Sequence, residues 1–274
     1  MSNSISQGRF IAYESNDGAL NMAIDEAMLD CHIEGAVPPT LRLYGWKPAA
    51  VSIGYGQKHP EKLIERCAGR GIDVVRRPTG GRAVLHMDEL TYSFVGNAGT
   101  DIEGDRLLGA SIASAYKKIC QALIAAIKHL GVELEIGASQ PSYRDLNDCF
   151  LSTTTADLHL NGKKMVGSAQ LRRGSAVLQH GSILLLQSQE MLPELLSGKT
   201  ADASNRHANL RHANLFEAVG GEVDRQRLET VMRAGFKEVF HLTFADASLS
   251  ASELEIASSA RDRYCLRALD SKSY

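Results

Sequence analysis

The sequence predicts one mixed α/β domain followed by a short helical tail, and three observations carry that expectation. Ile112, Ala115, Ile119, Leu123, Ala126 and Leu130 recur at helical spacing, which marks a long amphipathic helix near the middle of the chain. Short alternating runs such as Leu41-Arg42-Leu43-Tyr44 and Asp157-Leu158-His159-Leu160 read as strands. Between two such runs stands Asn161-Gly162, a hairpin signal because both turn positions tolerate positive φ.

Taken in order, Asn16 or Asp17 can cap a first helix running towards Glu34, with Leu20, Ile24 and Met28 on its apolar stripe. Leu41 to Tyr44 and Val51 to Ile53 alternate like half-buried strands, joined across Pro48, before Gly54-Tyr55-Gly56 breaks the pattern. Residues 61–70 suit a short helix, and residues 72–76 and 90–95 suit strands. The long helix spans about residues 105–130, and Gly131 stands where a left-handed cap belongs. Residues 141–150 read as a polar loop. Residues 157–160, 163–171 and 176–186 form a β-meander, turning at Asn161-Gly162 and at Arg172-Arg173-Gly174-Ser175. A polar crossover over residues 197–211 leads to helical segments near 224–241 and 252–267. No repeat, low-complexity tract or linker interrupts this order, so residues 1–250 are expected to form one domain and 251–274 the tail.

Composition narrows the function classes. The 274 residues are 44% hydrophobic and 23% charged, as in ordinary soluble globular proteins. A formal net charge of -2 argues against general nucleic-acid binding, which shows a basic excess. No run is apolar enough to span a bilayer, and residues 1–10 lack the apolar centre of a signal peptide. The five cysteines, Cys31, Cys67, Cys120, Cys149 and Cys265, are scattered and form no CxxC, which disfavours zinc sites and a disulfide framework. The expectation is a reduced, cytoplasmic protein without a metal.

Three segments concentrate chemistry. The run Arg76-Arg77-Pro78-Thr79-Gly80-Gly81-Arg82-Ala83-Val84-Leu85-His86 combines guanidinium forks with glycines that admit close backbone approach. It suits an anionic or carboxyl-bearing ligand; surface ion pairs with Asp73, Asp88 or Glu89 are the plainer alternative. Cys149 lies in a polar loop after Asn147-Asp148, whereas Cys31, Cys67 and Cys120 lie in apolar helical settings. Lys164, just before Gly167-Ser168-Ala169, is the ammonium that would favour a thiolate at Cys149; the alternative is an exposed hairpin lysine and an inert thiol. His180-Gly181-Ser182 interrupts an apolar strand, which marks close approach of a ligand or a second backbone. His180 and His86 are also readable as satisfied core histidines.

Together these segments resemble the biotin/lipoate protein ligase and lipoyl/octanoyl transferase superfamily. The likeness rests on residues 76–86, on Gly162-Lys163-Lys164-Met165-Val166-Gly167-Ser168-Ala169-Gln170 and on Leu178-Gln179-His180-Gly181-Ser182-Ile183-Leu184, with Ser52-Ile53-Gly54 and Gln57 as a fourth piece. The resemblance implies an α+β catalytic domain of central mixed β-sheets flanked by helices. It places Arg76, Arg77, Gly80, Gly81, His86, Gly167, Ser168, Ala169, His180 and Gly181 along a tunnel for an eight-carbon acyl chain. Cys149 in the loop before the lysine strand is similar to the cysteine-dependent octanoyltransferase branch. In that branch Cys149 would carry octanoyl as a thioester and Lys164 would lower the thiol pKa. Acyl carrier protein would be the donor, and a lipoyl-carrying protein such as the glycine-cleavage H protein or an E2 subunit the acceptor. The implied enzyme needs no cofactor and acts as a monomer, with Arg82, Arg172 and Arg173 as exposed steering charges. An ATP- and magnesium-dependent lipoate ligase and an octanoyl amidotransferase are the alternatives.

Overall fold

Side-chain caps fix where the helices that begin at Gly18, Ile112, Leu215, Arg225 and Ala251 start. Asp17 accepts from Leu20 N at 3.0 Å, and Ser111 and Ser114 close a reciprocal capping box, so orphan amides at each first turn are satisfied. The computed structural model describes residues 7–58, 60–98, 107–109, 111–137, 157–186, 189, 191–198 and 212–267. In chain order these form β1 (Gln7–Asn16), α1 (Gly18–Ile33), β2 (Thr40–Trp46), β3 (Ala50–Ile53), α2 (Glu61–Ala68), β4 (Asp73–Arg76), β5 (Val84–His86), β6 (Glu89–Asn97) and α3 (Ile112–Lys128). There follow β7 (Glu135–Ile136), β8 (Leu158–Leu160), β9 (Lys163–Arg173), β10 (Ala176–Leu184), α4 (Met191–Ser197), α5 (Leu215–Val219), α6 (Arg225–Phe240), β11 (Thr243–Asp246) and α7 (Ala251–Ala260).

The strands make two sheets. The larger has the order β11-β1-β2-β6-β10-β9-β8-β7, and the smaller β4-β3-β5. In the larger sheet β1 runs parallel to β2 and β11, and the remaining pairings are antiparallel. Alternation along the strands divides the core. Leu41, Leu43, Tyr92, Phe94 and Val177 pack with α3 and α6, while Tyr44, Val95 and Leu178 turn to α1. The small sheet packs its own apolar side chains against α2 and α4.

Several expectations are corrected. Leu41–Tyr44 and Val51–Ile53 were expected to be half-buried, yet every residue of β2 and β3 is buried. Both faces of the large sheet are covered at β2, and β3 is the central strand of the small sheet, so neither strand has a wet face. The chain at Pro48 passes from one sheet to the other. The long helix begins at Ile112 rather than near residue 105, because the Ser111 box sets its start. The last helix stops at Ala260. Residues 261–263 make a 3-10 turn, and the chain then runs along β4, with Arg76 N donating to Tyr264 O and Leu266 N to Val74 O, each at 2.9 Å. Strands β1, β5, β7 and β11 and helices α4 and α5 were not foreseen. Most of the polar crossover, the loop of residues 141–150 and Cys149 lie outside the described residues.

Candidate functional site

A pocket opens where the small sheet faces the α1 side of the large sheet. Met22, Tyr44, Trp46 and Val84 give it apolar walls; Ser52, Arg77, His86, Thr91, residues 167–169 and residues 180–182 complete it, around a volume of about 350 Å³ that includes its open mouth. Seven sequence-predicted residues therefore converge: Arg77, His86, Gly167, Ser168, Ala169, His180 and Gly181. Sheet register brings the last five together, since Ser168 stands opposite Gly181 and Ala169 opposite His180. Gly181 permits that contact: a Cβ there would lie 2.5 Å from Gly167 O and 2.6 Å from Ser168 Oγ.

The arginine–glycine loop is folded by its own arginines. Arg76 Nη1 donates to the carbonyls of Gly54, Tyr55 and Gln57 at 3.2, 3.0 and 2.6 Å, and it has no carboxylate partner among the described residues. Arg77, 5% exposed, donates through Nη1 to Ser52 O and Oγ and through Nη2 to the carbonyls of Gly80 and Arg82. Both guanidinium forks thus bind backbone carbonyls, Arg77 also the Ser52 hydroxyl, while each borders a cavity. Gly81 takes φ +92°, and a Cβ on Gly54 would stand 2.1 Å from Gly81 O, so the Gly54 turn and this loop touch backbone to backbone. Arg76 also borders a second cavity of about 850 Å³, open to solvent, that meets the first at Arg77. Gly80 stands on the exposed outer side of the loop. Arg82 is buried, which corrects its expected role as an exposed steering charge. Arg173 is exposed but ion-paired with Glu26 and Asp30.

Two hydroxyl–imidazole–carboxylate chains stiffen the walls. In the first, Ser52 Oγ lies 2.6 Å from His86 Nε2, and His86 Nδ1 lies 2.5 Å from Glu89 Oε1. Arg77 donates to Ser52 Oγ, so the directions agree when Ser52 donates to Nε2 and Nδ1–H donates to Glu89. Burial pushes His86 below its ordinary pKa despite the Glu89 carboxylate, which keeps the imidazole neutral near pH 7. Its ring stacks on Trp46 at 3.8 Å and 12°. In the second chain, Thr79 Oγ1 meets His180 Nε2 at 2.7 Å and His180 Nδ1 meets Asp25 Oδ2 at 2.8 Å. Arg42 and the Tyr44 hydroxyl also donate to Asp25. Burial alone would raise Asp25, but the His180 hydrogen bond and the Arg42 charge outweigh it and hold the carboxyl below its usual value.

Lys164 is buried rather than exposed, 2% accessible, and its Nζ lies 2.8 Å from Asp157 Oδ1. It precedes Gly167 by three residues, roughly 10 Å along an extended strand, and does not line the pocket. The partner expected for it, Cys149, is outside the described residues. Burial raises the thiols of Cys31, Cys67 and Cys120, Cys67 to about 11 and Cys120 to about 12, so these three are packed apolar groups and poor nucleophiles. No three His, Cys, Asp or Glu side chains converge for a metal among the described residues, and no described helix is long and apolar enough to cross a membrane. Sequence reasoning missed Asp25, Trp46, Thr79, Glu89 and Asp157. For Asp25 a signal existed: a carboxylate beside Ile24 on the apolar side of a helix.

Residues 17–237 match the family described as the lipoyl protein ligase A/B catalytic domain. The chain is 37% identical over 264 residues to octanoyltransferase LipM of Carboxydothermus hydrogenoformans, covering 94% of this chain and 96% of that protein. It is 36% identical to octanoyltransferase LipM of Kyrpidia tusciae, covering 93% and 95%. Among solved structures it is similar to a lipoate-protein ligase A bound with ATP, at 26% identity and TM-score 0.74, over 94% of this chain and 95% of that one.

Proposed function

The chain belongs to the lipoyl protein ligase A/B catalytic-domain family, and from that premise we propose that the pocket between its two sheets holds the acyl chain during cysteine-mediated octanoyl transfer. The chain is an acyltransferase, an octanoyltransferase of protein lipoylation, as its near full-length relatives are named. A lipoyl-carrying protein is the acceptor. The observation that supports the assignment of the pocket is its construction: apolar walls from Met22, Tyr44, Trp46 and Val84, with the glycine-bearing strands β9 and β10 along one side. Each methylene buried there gains about 0.8 kcal/mol.

In this reading octanoyl arrives as a thioester on acyl carrier protein. The Cys149 thiolate attacks the carbonyl carbon, a new C–S bond forms, the carrier's C–S bond breaks, and the carrier sulfur takes the proton that Cys149 gave up. The Lys164 ammonium favours the thiolate by charge attraction. The acceptor lysine amine then attacks the same carbon, the Cys149 C–S bond breaks, and the surplus amine proton passes to the departing sulfur. The donor thioester already carries the activation, so no nucleotide, metal or other cofactor enters. We place the reaction in the cytoplasm, on a monomer, with the glycine-cleavage H protein or an E2 subunit as acceptor.

The test is intact mass after mixing with octanoyl-acyl carrier protein. An octanoyl adduct is expected on the wild type and not on Cys149→Ser; no adduct, or one that persists in Cys149→Ser, refutes the thioester. A second reading, ATP-dependent lipoate ligation, draws support from the likeness to the ATP-bound ligase. Lipoate-dependent pyrophosphate exchange that survives Cys149→Ala would establish it instead.

A further inference from the structure

Lys164 serves the chemistry above as a positive charge, and a buried charge needs a cause. Transfer into a protein interior lowers a lysine by as much as ~3–5 units from its usual ~10.4, which would leave a lone ammonium largely neutral near pH 7. Here Asp157 Oδ1 stands 2.8 Å from Nζ, with both side chains 2% exposed. Among the described residues, the other titratable groups around the pair are His159, His212, Cys120 and Glu135. His159 on β8 pairs with Lys164 across the strands, and burial lowers its pKa, with the Lys164 charge acting in the same direction. His212 bridges Lys164 from the other side. Cys120 on α3 has its thiol raised by burial first and then by Asp157, and Glu135 on β7 acts on His159. Asp157 supplies the carboxylate in direct contact with the ammonium.

We infer that Asp157 is a positioning residue that locks Lys164 as an ammonium throughout the cycle, so Lys164 works as a fixed charge and never as the base for the acceptor amine. The backbone reinforces the placement. The β8 pairing of His159 with Lys164 sets the start of β9 beside Asp157, and on the other side Ala213 N donates to Lys164 O at 3.0 Å. Its consequence for rate rests on the thioester reading; its consequence for Lys164 does not.

Two measurements separate these. In the wild type, the Lys164 13Cε resonance, identified by its loss in Lys164→Met, should show no deprotonation below about pH 10. Titration of wild-type Lys164 below pH 9 overturns the inference, whatever Cys149 does. In Asp157→Asn, the same resonance should titrate near pH 6, about four units lower, which leaves about a tenth of the ammonium at pH 7. The rate of octanoyl loading, followed by mass from pH 6 to 10, should then fall about tenfold or more at pH 7 and recover at high pH, where the thiol ionises unaided. Asp157→Glu should return the profile towards wild type. A uniform loss at every pH, or an unchanged profile, means that Asp157 only shapes the fold. A wild type that never loads octanoyl overturns the thioester and leaves the lysine titration to decide Asp157.

Discussion

Substituting Gly54 by alanine tests whether the arginine–glycine loop is held by backbone contact. A Cβ at residue 54 would lie 2.1 Å from Gly81 O, 2.9 Å from Gly81 C and 3.0 Å from Gly80 C. All three are backbone atoms, so no flexible side chain can swing aside. Restoring ordinary contact requires the loop to retreat by about 1 Å. That retreat stretches the Arg77 bonds to the Gly80 and Arg82 carbonyls. Overpacking of this kind costs about 1–3 kcal/mol, or roughly 2–12 °C in Tm for a chain of this size. A displacement of that order at a site wall lowers turnover by about a hundredfold. The control is Gly56→Ala in the same turn, where a Cβ meets nothing within 4 Å and φ is not positive. The assays are scanning calorimetry and the initial rate of octanoyl transfer to a lipoyl-carrying acceptor. Gly54→Ala is expected to fall in both, and Gly56→Ala to match wild type. If the two variants behave alike, the loop does not depend on that close approach and the reasoning fails.

Two further outcomes follow from the buried polar chains. Asp25→Asn removes the carboxylate facing Arg42 and His180 and leaves a buried guanidinium without its counter-charge. The expected loss is about 3–5 kcal/mol in denaturant titration. Because folding depresses Asp25, its contribution is present above the ordinary value of 3.8 and vanishes as pH falls through the depressed one, so the variant should show a shallower acid arm. His86 titrates lower in the folded than in the unfolded chain, so the unfolded state binds more protons as pH drops below the ordinary 6.5. Wild-type stability should therefore decline from pH 6.5 downwards, and His86→Gln should flatten that decline; equal slopes in the two proteins would contradict a buried neutral imidazole.

Much of the architecture was legible because periodicity reports burial on one side. The meander, the Asn161-Gly162 turn and the helices at α1, α3 and α6 follow directly from it. Periodicity fails where both faces are covered: β2 and β3 read as half-wet strands because Arg42 and Ser52 are polar, yet each is buried against a partner, Arg42 on Asp25 and Ser52 on His86. The site was legible as a set of segments but not as roles. Sequence spacing cannot tell a guanidinium that folds its own loop from one that faces a ligand; Arg76 and Arg77 bind backbone carbonyls and also border the two cavities. Asp157 was invisible as a partner of Lys164, since a hairpin lysine normally points into water.

The pocket proposed for the acyl chain has a surplus of polar groups in its walls, and the energetics of that proposal account for them. Two extra methylenes would gain about 1.6 kcal/mol if the wall yielded to a longer chain. A wall of Met22 and Val84 alone resists weakly, because apolar side chains shift rotamer at little cost. Trp46 is different. Its indole N–H donates to Thr91 at 2.8 Å, and its face is pinned by His86, itself fixed by Ser52 and Glu89. Displacing that plate breaks its buried hydrogen bond to Thr91, at about 1–3 kcal/mol, and its stack on His86, at about 0.5–1.5 kcal/mol, which together match or exceed the gain from the longer chain. On the opposite wall His180 is anchored between Thr79 and Asp25 in the same manner. In the proposed reading, burial and charge compensation at these two imidazoles would convert a soft apolar lining into a rigid gauge for acyl-chain length.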